Sequence, residues 1–170
     1  MTSYEIKERP LLHTALTDAA LLATACLIPS VSHLLAWSVY KLNPMLMVLA
    51  AGMLLTADKW NSYLLAVAVP FTTCLVAGMP SPLGALCMVF EYTTVVAMFG
   101  FLSQHHKAKT SPAVFAMFIG AVLAGKVVYY MSKLLILHPA QLVSTSIVWQ
   151  LVSMAAIAAV FATLWHKTGR

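Results

Sequence analysis

The chain has 170 residues, 61% of them hydrophobic and 9% charged, with a mean hydropathy of +0.87. A soluble domain carries roughly 25% charged and 45–50% apolar residues, so this composition describes an integral membrane protein. Its net charge of +5 comes without an aromatic-interleaved basic patch, which speaks against DNA or RNA as a partner.

Residues 1–12 form a polar lead-in that reaches Pro10. Acids are mixed with its bases and no small-residue cleavage site follows a short apolar core, so no removable signal peptide is expected. The first apolar run covers 13–37, with Pro29 as an expected kink. After Tyr40-Lys41-Leu42-Asn43, Pro44 opens a second run, 44–57, which is short for a full span. Asp58-Lys59-Trp60-Asn61 breaks it. A third run, 62–79, has Pro70 at its centre, and Pro80-Ser81-Pro82 leads into a fourth, 82–103. The polar loop from Gln104 to Lys109 precedes a fifth run, 112–137, and His138-Pro139 turns the chain into a sixth, 140–165.

At about 17–25 residues per span, these runs predict an all-α bundle of six transmembrane helices forming one domain over 1–170. Lys7, Arg9, Lys59, Lys107, Lys109, Lys167 and Arg170 fall on one side, against Lys41 and Lys133 on the other. The positive-inside rule then puts both termini in the cytoplasm and the protein in the cell membrane as a multi-pass protein.

Glu91 is the only acid after Asp58, and it lies about ten residues into the fourth run, near mid-membrane depth. An acid there is costly and needs a partner. Lys126 lies about eleven residues from the outer end of the fifth run, and Gln150 about ten from the outer start of the sixth. At 1.5 Å per residue all three are expected about 15–17 Å below the outer surface. Two readings stand side by side: a structural Glu91–Lys126 pair that holds helices together, and a ligand site that uses these charges.

Above this layer the outer end is rich in rings and amides: Trp37, Tyr40, Lys41, Asn43, Tyr129, Tyr130 and Trp149. These suit a small, partly aromatic ligand, or an interfacial aromatic belt. For Trp149, which is expected deep, a pocket or packed core is the better reading. On the first helix, Ala15, Ala19 and Ala23 recur every fourth residue, with Ala20 and Thr24 alongside. Small residues at this spacing let another helix approach closely, whether a partner's or one inside the bundle, and a partner-docking face is preferred. Gly120 with Ala124, and Ala155 with Ala159, show similar spacing and are read as internal.

Other chemistry finds little support. Cys26, Cys74 and Cys87 are scattered without CxxC spacing and read as free structural thiols. His105-His106 has no nearby acid or thiol to complete a metal site. Phosphate loops, GxSxG and HExxH are absent, so no catalytic residue, metal or cofactor is expected and any ATP hydrolysis belongs to other subunits.

The alanine stripe, the Asn43-Pro44-Met45 start of the second helix, and Gly78-Met79-Pro80 followed by Met88 and Glu91 point to a known group. In layout nearly the whole chain, and in sequence these patches, resemble the substrate-binding S components of energy-coupling factor (ECF) transporters. The resemblance implies high-affinity binding of a vitamin-like solute in an outward-facing pocket made by helices four to six and the first outer loop. It also implies docking through Ala15, Ala19 and Ala23 onto a membrane coupling subunit driven by two ATPase subunits. On that resemblance Glu91, Lys126, Tyr130, Trp149, Gln150 and Asn43 are the ligand contacts. No signature tied to thiamine, biotin, riboflavin, folate or cobalt is present, so the solute stays open. The alternatives are a non-transport scaffold of the cell-wall elongation machinery, similar in size to its rod-shape-determining membrane protein, and, ranked last, a small membrane enzyme.

Overall fold

A computed structural model describes residues 11–34, 43–56, 58–105, 110–137 and 146–167. These form six helices and no strand: α1 Leu11–Leu34, α2 Pro44–Leu55, α3 Lys59–Ala77, α4 Pro82–His105, α5 Ser111–Leu137 and α6 Ile147–Lys167. Among them α3, α4, α5 and α6 are each long and apolar enough to cross a membrane. Trp37, Tyr40 and Lys41, expected in an outer loop, lie outside the described residues. So do Lys7, Arg9, Pro10, His106, Lys107, Lys109, His138, Pro139 and Arg170, and the stretches 35–37, 57 and 140–145 of the expected runs.

Local chemistry sets the helix ends. Pro44 stands in the first turn of α2, where its missing N–H costs nothing. Before it, Asn43 takes the left-handed conformation (φ 51°), one that Asn tolerates better than most residues, and its side chain accepts the Leu46 N–H at 3.4 Å. Asp58 caps α3 by accepting the Trp60 N–H at 3.0 Å, which starts that helix at Lys59, three residues before the expected position. Gly78 (φ 69°) ends α3 in the left-handed region that favours glycine. Ser81 then caps α4, its hydroxyl accepting the Gly84 N–H at 3.2 Å and its carbonyl the Ala85 N–H at 2.7 Å. Helix α1 runs through Pro29, and α3 through Pro70.

The short α2 lies inside the bundle, against α1, α3 and α6, while α4 packs between α3 and α5. Leu46, Val48, Leu49, Ala50, Gly52, Met53 and Leu54 are all buried, so α2 is covered almost all round. A Cβ on Gly52 would run into Leu65 Cδ1, which marks a close approach of α2 to α3. At the end that carries Asp58, Phe99, Phe118, Phe161 and Trp165 form an aromatic cluster. Phe99 meets the other three edge-on at 5.1–5.9 Å, and Phe118 stacks on Phe161 at 4.3 Å. Outward faces are apolar too: Leu75, Val76, Leu135 and Val148 are exposed while Glu91 is buried. That inversion suits lipid as the surrounding solvent.

Candidate functional site

The site begins with the spacing along α4. Cys87, Glu91, Val95 and Phe99 share one helix face at four-residue intervals, and all four are buried. Facing them is Gly125 of α5. A Cβ there would stand 2.6 Å from Val95 Cγ2 and 2.9 Å from the Glu91 carbonyl oxygen, so only glycine lets the two backbones meet at this level. The next residue, Lys126, brings its Nζ to 2.7 Å from Glu91 Oε1.

The two partners differ in surroundings. The Glu91 side chain is 2% exposed and that of Lys126 is 24% exposed. Glu91 Oε1 has no aligned hydrogen-bond donor, so the contact is a close pairing of charges with its angles off the hydrogen-bond line. The ammonium also lies 5.2 Å from the centre of the Tyr129 ring, within cation–π range. Tyr129 and Tyr130 meet edge-on at 5.3 Å, and the Tyr130 hydroxyl donates to Gln150 Oε1 at 2.8 Å. On the other flank the Tyr92 hydroxyl donates to Asn43 Oδ1 at 3.2 Å. Polar side chains from α4, α5, α6 and the start of α2 thus gather toward the end that carries the Gly78–Ser81 turn.

Several expected residues change role. Gln150 is near the start of α6, since the helix begins at Ile147 with the Ser146 carbonyl accepting the Gln150 N–H. It is therefore level with Tyr130, one turn beyond Lys126, and not with Glu91. Trp149, expected in a pocket or core, is 48% exposed, because it is turned about 100° along α6 from Gln150. Asn43 has committed its side-chain oxygen to the α2 cap and to Tyr92, which leaves its amide to donate. Ala15, Ala19, Ala20, Ala23 and Thr24 are exposed, so among the described residues no other helix covers the stripe. Ala25 and the half-buried Leu21 and Leu22 face the bundle instead, and Asn61 donates to Asp18 at 2.9 Å to tie α3 to α1. Ala155 and Ala159, expected to be internal, are exposed. A Cβ on Gly120 would meet nothing within 4 Å, so that glycine marks no close approach.

Three participants escaped sequence reasoning. Gly125 stands beside a membrane-embedded lysine, which was a signal for close approach. Tyr92 follows Glu91 directly, and a tyrosine deep in an apolar run needs a partner for its hydroxyl. The third is a cavity of about 310 Å³ at the opposite end, lined by Asp58, Lys59 and Gln104 together with Met53, Val96 and Phe101. Gln104 is about 20 Å along α4 from Glu91, so this cavity is separate from the ion pair.

Chemically, the cluster offers a charged donor on an aromatic floor. An ammonium has three donors, and its charge contact with one Glu91 oxygen does not use them all. Among the described residues no three His, Cys, Asp or Glu side chains come together as a metal site, and Cys26, Cys74 and Cys87 are unbridged. No family model matches the chain, and no curated protein or solved structure matches it either.

Proposed function

We propose that this protein is the solute-binding subunit of a membrane uptake system, an S component of the ECF type. It binds a small vitamin-like solute at the outer face and passes it inward together with a coupling subunit and two ATPase subunits. All six helices are embedded in the cell membrane with both termini in the cytoplasm, as the distribution of Lys and Arg supports. The turn end of the bundle then faces outward. The observation that carries the reading is the Glu91–Lys126 pair, in helices long enough to span a membrane, with its lysine partly open beside Tyr129, Tyr130 and Gln150. Charges at such depth are functional-site candidates by default. The exposed alanine face of α1 supports a helix-docking partner, because small residues let backbones approach where lipid offers no hydrophobic drive.

The test is to purify the protein from its native membrane and identify any co-purified small molecule by mass spectrometry. A stoichiometric solute is expected in the wild-type protein, and none in Glu91→Ala or Lys126→Ala. An empty wild-type protein, with no uptake phenotype for either substitution, would sink the reading. It would favour the second one, a non-transport scaffold of the cell-wall elongation machinery. The near-complete burial of Glu91 is the observation on that side, since a sealed pair can serve packing specificity alone.

A further inference from the structure

The cavity at the Asp58 end is built from the end of α2, the start of α3 and the last turns of α4, with Phe99 and Trp165 also in its lining. We infer that it seats one membrane phospholipid with a primary-amine head, a diacyl phosphoethanolamine. The head lies at Asp58 and Lys59, and the upper part of one acyl chain lies along α4. This site goes beyond the solute-binding reading and does not rest on it.

Polarity is graded along the cavity. Lys59 is the first residue of α3 and Gln104 the last but one of α4, so both stand at the end of the bundle, and both are exposed. Val96, in the same lining, is buried and lies about 12 Å deeper along α4. A fully polar solute gains nothing from the deep apolar part, and a bare hydrocarbon gains nothing from the charged end. A lipid carries the same gradient as the cavity. Tyr63, one turn in from Lys59, is half-buried and brings a hydroxyl donor to the level where a head joins its chains.

Size and access agree with a lipid that is only partly enclosed. The cavity of about 310 Å³ holds about ten groups the size of a water molecule, enough for a head and a few chain carbons. Ala97 and Phe101 line it and are exposed, so it opens on the outer surface of α4 and the remaining chain can continue in the bilayer. The α4 wall stands back because Ala97 and Gly100 are small, and a Cβ on Gly100 would meet nothing within 4 Å.

The head is chosen by charge. Asp58 and Lys59 are adjacent, opposite in sign and exposed, and among the described residues neither enters an ion pair. Asp58 accepts the Trp60 N–H through Oδ1, and a carboxylate with about four acceptor sites keeps capacity for a second donor. A phosphoethanolamine head supplies an ammonium for Asp58 and a phosphate for Lys59. A phosphoglycerol head brings no cation to the carboxylate, and a phosphocholine head brings a cation without an N–H to donate.

Native mass spectrometry of the delipidated full chain in detergent tests this, using phosphoethanolamine, phosphocholine and phosphoglycerol lipids with the same acyl chains. One phosphoethanolamine lipid per protein is expected, held at least about threefold tighter than the other two, the scale of a partly exposed charge contact. Asp58→Asn keeps the α3 cap, since Asn caps as well as Asp, and should erase the preference over phosphocholine. Lys59→Gln should weaken both. Gly100→Leu fills the cavity and should weaken phosphoethanolamine binding at least about tenfold with the thermal midpoint unchanged. Ala97→Phe is a second filler with the same expectation, which keeps the test alive if Gly100→Leu fails to fold. Equal binding of the three lipids overturns the proposal. So does a preference that survives Asp58→Asn, or unchanged binding in folded filler variants. Displacement of the lipid by an equal concentration of glycerophosphoethanolamine, the head without its chains, would also overturn it. The solute reading is tested by substitutions at Glu91 and Lys126, with Glu91 about 20 Å along α4 from Gln104, so the two results are independent.

Discussion

The Lys126 ammonium stands 2.7 Å from Glu91 Oε1, and the lysine is the open member of the pair while the glutamate is sealed. Breaking a buried pair from one side strands a charge and costs about 3–5 kcal/mol, whereas replacing both members with apolar groups of similar volume is close to neutral. Lys126→Met should therefore lower the thermal midpoint of the purified protein sharply, and Glu91→Leu/Lys126→Met together should restore most of it. Midpoints of the two singles and the double, measured in one detergent, check this. A double variant as unstable as the worse single would show that the pair's geometry itself supports the fold.

Gly125 sets how near α5 comes to α4. Gly125→Ala places a Cβ 2.6 Å from Val95 Cγ2 and 2.9 Å from the Glu91 carbonyl, and backbone cannot give way as a side-chain tip can. Overpacking of this kind costs about 1–3 kcal/mol. Gly120→Ala on the same helix meets nothing within 4 Å and should be neutral or mildly stabilising. Comparing the two variants by denaturation separates helix propensity from helix approach.

The Tyr130–Gln150 bond joins α5 to α6 with one neutral contact of 2.8 Å. Tyr130→Phe and Gln150→Leu should each cost about 0.5–1.5 kcal/mol, and a double-mutant cycle should give a coupling near 0.6 kcal/mol, the usual size of such bonds in membrane bundles. A coupling of zero would mean that the two side chains act independently.

On α1 two alanines offer a controlled contrast. Ala19 is exposed and Ala25 is buried. Under the proposed function, Ala19→Trp should leave the melting temperature and solute binding unchanged and block assembly with a coupling subunit, read by co-purification. Ala25→Trp, forced into a packed interior, should lower stability by several kcal/mol. If Ala19→Trp destabilised the isolated protein as much, the stripe would be an internal surface after all.

Much of this fold was legible in the residues themselves. Apolar runs too long and too poorly charged for a soluble core announced helices in lipid, and Pro44, Asp58, Gly78 and Ser81 marked helix ends through rules that need only the nearest few residues. Glu91 was legible as a site for a similar reason: a lone acid inside an apolar run violates the pattern around it and demands a partner. The start of α6 was less legible, because Leu142 and Val143 extend the apolar run back toward Ala140, ahead of the boundary at Ser146.

What only the tertiary structure decided is which faces meet. Periodicity along one helix cannot say whether Ala19 or Ala25 looks inward, and the packing of α1 on α2 and α3 buries Ala25 and leaves the stripe open. Depth along one helix cannot rank Gln150 against Lys126, and the Tyr130 hydroxyl shows Gln150 to be a turn nearer the Gly78–Ser81 end. By itself the sequence determined that one acid and one base lie within a membrane-length bundle, because composition and spacing are local properties. Which of the two remains open follows from Gly125, which draws α5 against α4 and closes the backbone over Glu91 while Lys126, one residue on, keeps its access.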